Sequence, residues 1–261
     1  MQNRIDQCFS ALRSRNQKAF IAYICAGDPS LARTIDLALA LENAGTDILE
    51  LGVPFSDPLA DGLVNQLAAQ RALEAGATVQ GVLDCVRQVR HRSQIPIVLY
   101  TYMNPIFQFG LDRFHREATE AGVDGLLILD LPPEEDPQTD ALLHIRLIAP
   151  TTPQDRIQRI CAGAAGFIYY VSREGVTGVQ SSVASSLAER VGQIRQCTQL
   201  PIAVGFGIST PEQAREVAQI ADAIVVGSAI VEKISENSGA ADMPDRIGAF
   251  VKPLVAGVKR G

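Results

Sequence analysis

Glu50 is a carboxylate inside an apolar run, Ile48-Leu49-Glu50-Leu51-Gly52-Val53. Taking an ionised carboxylate out of water is costly unless it is paired, hydrogen-bonded or protonated. One reading is a structural carboxylate satisfied by partners elsewhere in the chain. The other is a proton-transfer group whose pKa is raised by apolar surroundings. The following loop, Pro54 to Gly62, has no arginine or lysine to pair with it, which favours the second reading. Asp61 sits near the end of that loop, where it could reach over a cleft or could simply cap a turn. Asp28, in Gly27-Asp28-Pro29, reads as a turn residue that also caps the helix after it.

Three later stretches suit an anion. They are Ser172-Arg173-Glu174-Gly175-Val176-Thr177-Gly178, Gly205-Phe206-Gly207-Ile208-Ser209, and Gly227-Ser228 with a helix opening at Ala229-Ile230-Val231. Glycine lets backbone N–H groups approach a phosphate closely, and a helix N-terminus adds a favourable dipole. Absences narrow the chemistry further. His91, His115 and His144 fall in helical or connecting segments, and no lysine ends an apolar run. A histidine base, a histidine metal cluster and a Schiff-base lysine are therefore not expected, and no metal site is predicted.

These residues need a frame. Eight short runs rich in Val, Ile, Leu and Tyr recur: 20–25, 48–53, 97–102, 125–131, 146–149, 167–171, 202–206 and 223–226. Most are continuously apolar, the mark of parallel strands buried on both faces. Helical patterns separate them. Leu31–Asn43 is one, and Thr210-Pro211-Glu212-Gln213 sets an N-cap, a first-turn proline and a capping-box glutamine in order. Ala44-Gly45-Thr46-Asp47 and Ala121-Gly122-Val123-Asp124 repeat one helix-to-strand turn, and Ala221-Asp222-Ala223 resembles it. No G-x-G-x-x-G follows the first run, which disfavours a dinucleotide-binding sheet. The chain has 261 residues, near the roughly 250 typical of a (β/α)₈ barrel. We therefore expect an α/β chain forming one (β/α)₈ barrel over residues 1–261, with an extra amphipathic N-terminal helix carrying Ile5, Phe9 and Leu12. In that fold, chemistry gathers at strand C-termini.

A formal net charge of −6 argues against a nucleic-acid or anionic-membrane binder. The five cysteines, Cys8, Cys25, Cys85, Cys161 and Cys197, are scattered and odd in number. They suggest neither a disulfide framework nor a zinc site, and the expected home is cytoplasmic. No signal peptide or membrane span is apparent.

From Phe20 to Ile230 the sequence resembles the α subunits of tryptophan synthase. The resemblance rests on Glu50–Gly62 (E-L-G-V-P-F-S-D-P-L-A-D-G), Ser172–Gly178 (S-R-E-G-V-T-G), Gly205–Ser209 (G-F-G-I-S) and Gly227–Val231 (G-S-A-I-V). It implies retro-aldol cleavage of indole-3-glycerol phosphate to indole and glyceraldehyde 3-phosphate. The family's catalytic glutamate falls on Glu50, its aspartate on Asp61 and its active-site tyrosine on Tyr169. The resemblance implies an indole slot of Tyr23, Tyr100, Tyr102, Leu127, Ile148 and Phe206, several of which could equally be barrel core. It implies a phosphate site at Thr177, Gly178, Phe206, Gly207, Gly227 and Ser228. It also implies an α2β2 complex in which indole passes to a β subunit carrying pyridoxal phosphate, this chain having no cofactor of its own. The docking surface would include Pro54, Asp57, Pro58, Asn104, Phe107 and Pro132. Phe107 and Phe109 are apolar in what reads as a loop, which suits an interface or a core.

Two positions depart from the family pattern. Leu63 replaces the usual proline after A-D-G, so Asp61 is expected to settle only with substrate or partner. Tyr100 puts a hydroxyl where leucine is frequent. Three other readings stay open. A stand-alone indole-releasing lyase would share the chemistry, and a non-catalytic activator of the β subunit would lack it. Another phosphate-binding barrel, such as a sugar-phosphate isomerase, predicts a histidine or lysine at a strand end.

Overall fold

A computed structural model describes residues 3–136, 142–172, 180–205 and 207–260. Among these residues are nine parallel strands: β1 (Ala19–Cys25), β2 (Ile48–Gly52), β3 (Ile97–Thr101), β4 (Gly125–Ile128), β5 (Leu143–His144), β6 (Arg146–Ile148), β7 (Ile168–Val171), β8 (Ile202–Gly205) and β9 (Ala223–Val226). Their order is β5-β4-β3-β2-β1-β9-β8-β7-β6. The two end strands are consecutive pieces of chain parted only at Ile145. β5 pairs with β4 and β6 with β7, so the split strand closes a (β/α)₈ barrel. The sequence reading found the second half of this strand and missed Leu143–His144, which is too short for any period to show.

Each strand divides two cores. Ile21, Ile48, Val98, Leu127, Ile145 and Phe167 fill the barrel interior. Alternate residues such as Phe20, Ala22, Ile24, Leu49 and Leu51 pack outward with the helical layer. This is the period-two alternation of a strand, with apolar residues on both faces because helices cover the outside. The N-terminal helix, Arg4–Ser14, buries Ile5, Phe9 and Leu12 at the interior's lower end, with the Phe9 and Phe167 rings 5.8 Å apart.

The repeated helix-to-strand turns share one function. Asp47, Asp124 and Asp222 each accept the backbone N–H of a neighbouring strand's start: Phe20 at 2.7 Å, Ile97 at 2.8 Å and Ile202 at 3.0 Å. Lys259, Arg90 and Arg195 balance the three carboxylates. Gly45 and Gly122 precede two of these turns at φ 101° and 90°, a region that side chains rarely enter. These latches fix the lower rim, so the strands arrive at the upper rim in set register.

Loop 1 differs from expectation. Ser30, not Asp28, caps the helix Leu31–Asn43. Asp28 is buried and takes a two-pronged ion pair from Arg71, Nε at 2.9 Å and a terminal nitrogen at 2.7 Å. A carboxylate buried this deeply needs a fixed cation more than a helix end does. The pair ties loop 1 to the helix Leu63–Glu74, which starts just after Asp61.

Candidate active site

Glu50, Tyr23, Tyr100 and Tyr169 all point into the barrel near its upper end, on β2, β1, β3 and β7. A cavity of about 650 Å³ opens above them. Its wall includes all four of these residues, with Asp61, Asn65, Leu129, Leu147, Gly207, Gly227 and Ser228. That volume suits a drug-sized organic ligand. No lysine or arginine lines it among the described residues.

Glu50 is 1% exposed, and neither carboxyl oxygen has a hydrogen-bond partner among the described residues. Burial, and then the nearby Asp61 carboxylate, push its pKa up to about 8. At neutral pH it is mostly the neutral acid, a group with a proton to give. The structural-carboxylate alternative needs satisfying partners, and the described residues supply none.

Asp61 is already in the cavity wall. Its Oδ2 accepts the Tyr102 hydroxyl at 2.7 Å and its Oδ1 accepts the Tyr100 hydroxyl at 2.9 Å. Tyr102 also accepts the Ala60 N–H at 3.0 Å, pinning the loop beside the aspartate. Two phenols thus hold the Asp61 carboxylate, even with Leu63 in place of the family's proline. Burial raises its pKa, while hydrogen bonds from Tyr102, Tyr100 and Asn65 oppose the rise.

Two of the three interior tyrosines are seated against glycines. A side chain at Gly52 would place its first carbon 2.5 Å from the Tyr23 hydroxyl, and one at Gly205 the same distance from that of Tyr169. Tyr23 meets Tyr100 edge-on, with centroids 5.1 Å apart. Burial holds the Tyr23, Tyr100 and Tyr169 phenols well above their usual pKa, so they stay protonated as donors.

The same cavity wall carries Gly207, at φ +61°, and Gly227-Ser228 at the start of the helix Ser228–Glu236. Free N–H groups of a helix's first turn, with small residues before them, make an anion site that needs no cation.

Three slot expectations need correction. Tyr102 is buried outside the cavity wall, its hydroxyl turned to Asp61 and Ala60. Ile148 faces outward into the helical layer, and the cavity wall on that strand is Leu147 with Ala149 after it. Strand alternation puts the adjacent residue, not Ile148, inside. Leu127 does face inward but lies buried in the interior core, and Leu129 two residues on reaches the cavity. Thr177, Gly178 and Phe206 lie outside the described residues. Asn65 was missed. It stands in the first turn of the helix Leu63–Glu74 and shares the cavity wall with Asp61.

Of the expected docking residues, Asp57, Asn104 and Phe107 are exposed, Pro58 and Pro132 half-buried, and Pro54 buried. Phe107 and Phe109 lie on a short helix, Met103–Phe109, not in a loop. Phe109 packs edge-on against Phe114 with Arg113 over its ring, while Phe107 is 63% exposed.

A family model described as "Tryptophan synthase alpha chain" matches residues 9–258. The chain belongs to this family. By that membership it is a lyase of tryptophan biosynthesis that acts on indole-3-glycerol phosphate. The tryptophan synthase alpha chain of Opitutus terrae is 53% identical over 265 aligned positions, covering 99% of this chain and 100% of the relative. That of Geobacter sp. strain M21 is 49% identical, with 99% of each covered. Among solved structures, tryptophan synthase subunit alpha from Legionella pneumophila superposes with a TM-score of 0.91 at 38% identity, covering 100% of both chains. A chain of M. tuberculosis tryptophan synthase in an aminoacrylate-bound form gives a TM-score of 0.87 at 32% identity, covering 98% of this chain and 100% of that one.

Proposed function

We propose that Glu50 and Asp61 perform the cleavage as a pair of unlike carboxyl groups. Glu50, neutral at rest, gives its proton to C3 of the indole ring. Positive charge then develops at the ring N–H, which Asp61 faces as an anion. The Glu50 carboxylate next takes the proton of the glycerol hydroxyl, the carbon–carbon bond breaks, and its electrons return to the ring. Indole and glyceraldehyde 3-phosphate leave, and Glu50 is again the acid. Two carboxyl groups pushed apart in protonation state by their surroundings are what an acid–base pair needs. That contrast carries the reading: Glu50 is buried without partners among the described residues, and Asp61 is held by two phenols.

The substrate phosphate is assigned to backbone groups of Gly207, Gly227 and Ser228, and the indole ring to the space between Tyr100, Leu129 and Tyr169. Tyr169 closes the ring slot beside Glu50. Glu50→Gln keeps the shape but removes the proton, and Asp61→Asn removes the counter-charge. Each should reduce cleavage by about 10²- to 10⁴-fold. Calorimetry with glyceraldehyde 3-phosphate should still show binding to both variants. Near-native turnover in Glu50→Gln would sink the mechanism.

The β subunit of tryptophan synthase is the proposed partner, in an α2β2 assembly, with the pyridoxal phosphate bound there and indole handed across. Leu59, 91% exposed, stands on the loop after β2, and Phe107, 63% exposed, on the short helix that follows β3. Large exposed apolar side chains on one rim suit a docking face. The same reading places the enzyme in the cytoplasm. Among the described residues, no helix is long and apolar enough to cross a membrane.

A further inference from the structure

Asp61 stands on a loop, and the helix after it, Leu63–Glu74, has Gly62 as its N-cap and so no side-chain cap. Loop side chains turn freely unless something outside the loop holds them. Two donors do so here, and both come from β3 or the residue just after it. Tyr100 and Tyr102 are two apart on that segment, so they project to the same side. One oxygen of the carboxylate rests on each phenol, at 2.9 and 2.7 Å. A single donor would fix one oxygen and leave the group free to rotate; two fix its plane.

We infer that Tyr100 is a positioning residue for the reaction, acting through its hydroxyl on Asp61 to fix the carboxylate's orientation before substrate arrives. The inference rests on the role proposed for Asp61. Tyr100 is suited to it because its own ring is immobilised. Tyr23 packs edge-on against it at 5.1 Å, and Tyr23 is in turn backed by Gly52, where no side chain would fit. The chain of contact runs from Gly52 through Tyr23 and Tyr100 to Asp61. Tyr102 differs. It also accepts the Ala60 N–H and packs against Phe55, so it fastens the loop as well as the carboxylate.

Among the described residues, the side chains that hold the Asp61 charge are Tyr102, Tyr100 and the neutral amide of Asn65, while Glu50 from β2, Tyr23 and Cys25 from β1 and Tyr169 from β7 lie near enough to feel it. None of these is a cation. Hydrogen-bond donors alone therefore favour the anion against its burial, and each counts for more than it would beside an arginine. A carboxylate has about four lone-pair sites, so the two phenols leave room for an indole N–H.

Tyr100→Phe deletes only the hydroxyl and keeps the ring packing. The Asp61 carboxyl can be titrated by carbon-13 resonance in ligand-free, aspartate-labelled chain, its signal assigned by loss in Asp61→Asn. Its midpoint should rise by about one pH unit in Tyr100→Phe. The acid limb of kcat/KM should move up by the same amount, because a larger fraction of Asp61 is protonated at each pH. Turnover should fall roughly tenfold, with KM less affected. In the Asp61→Asn background the same substitution should have little further effect. Tyr100→Leu, which removes the ring as well, should move the midpoint in the same direction. An unmoved Asp61 titration in both Tyr100 variants overturns the inference. A shifted titration with unchanged cleavage supports the hold on Asp61 and counts against the role given to Asp61 itself.

Discussion

Glu50 weakens the fold that carries it. The unfolded chain releases this proton near 4.5, whereas the folded chain keeps it to about 8. Glu50 is thus tolerated best at low pH, and its contribution to stability falls as pH rises between those values and is level above them. Glu50→Gln should therefore gain thermal stability over the native chain progressively from pH 5 to 8, by on the order of a few kcal/mol at the upper end. A melting difference that stays flat with pH would contradict the buried-acid assignment. Activity should follow the same group. With the acid form needed, kcat/KM should decline above about pH 8. On the acid side it should decline as Asp61 takes up a proton, somewhat above the ordinary carboxylate range. Glu50 stood out in the sequence because a charge interrupts an apolar strand, whereas Asp61 was singled out only by the family resemblance, its loop leaving a turn cap equally open. The phenol pair holding Asp61 was not legible, since side-chain contacts between a loop and a strand leave no local spacing to read.

At the scale of elements, alternation along the strand decides what the site is made of. Leu147 and Leu129 line the cavity while Ile148 and Leu127 do not, yet all four look alike in an apolar run. Composition reveals such strands but not which residue faces inward, because helices make the outer face apolar too. The helix Leu63–Glu74 carries the loop that holds Asp61, and Arg71 anchors it to loop 1. Arg71→Leu would leave Asp28 buried and unpaired. It should destabilise the chain by about 3–5 kcal/mol in denaturant unfolding and raise KM by loosening the loop that carries Asp61. Leu63 is 69% exposed at the first helical position, where proline's fixed backbone angle fits and no intrahelical bond is lost. Gly62 before it is already extended, at ψ 161°. Leu63→Pro should therefore stabilise the chain by about 0.4–1 kcal/mol, and a loss of stability would show that the loop needs Leu63.

For the molecule as a whole, the barrel was legible from the count of apolar runs and the repeated turns. Three of those turns proved to be aspartate latches at the lower rim. The split strand escaped notice because its first piece is two residues long. The upper rim presents Leu59 and Phe107 to solvent, which the lone chain has no use for. Phe107→Asp should leave the melting temperature nearly unchanged, as exposed substitutions typically alter stability by no more than about 0.5 kcal/mol. It should sharply weaken binding to a β subunit by calorimetry, and unaltered binding would move the docking face elsewhere. The most direct test of the account is glyceraldehyde 3-phosphate release from indole-3-glycerol phosphate by the purified chain, measured alone and with a β subunit added. The account predicts slow release by the native chain, a strong rise with the partner, and loss of both in Glu50→Gln. Release that survives in Glu50→Gln, or no release by the native chain under either condition, would contradict it.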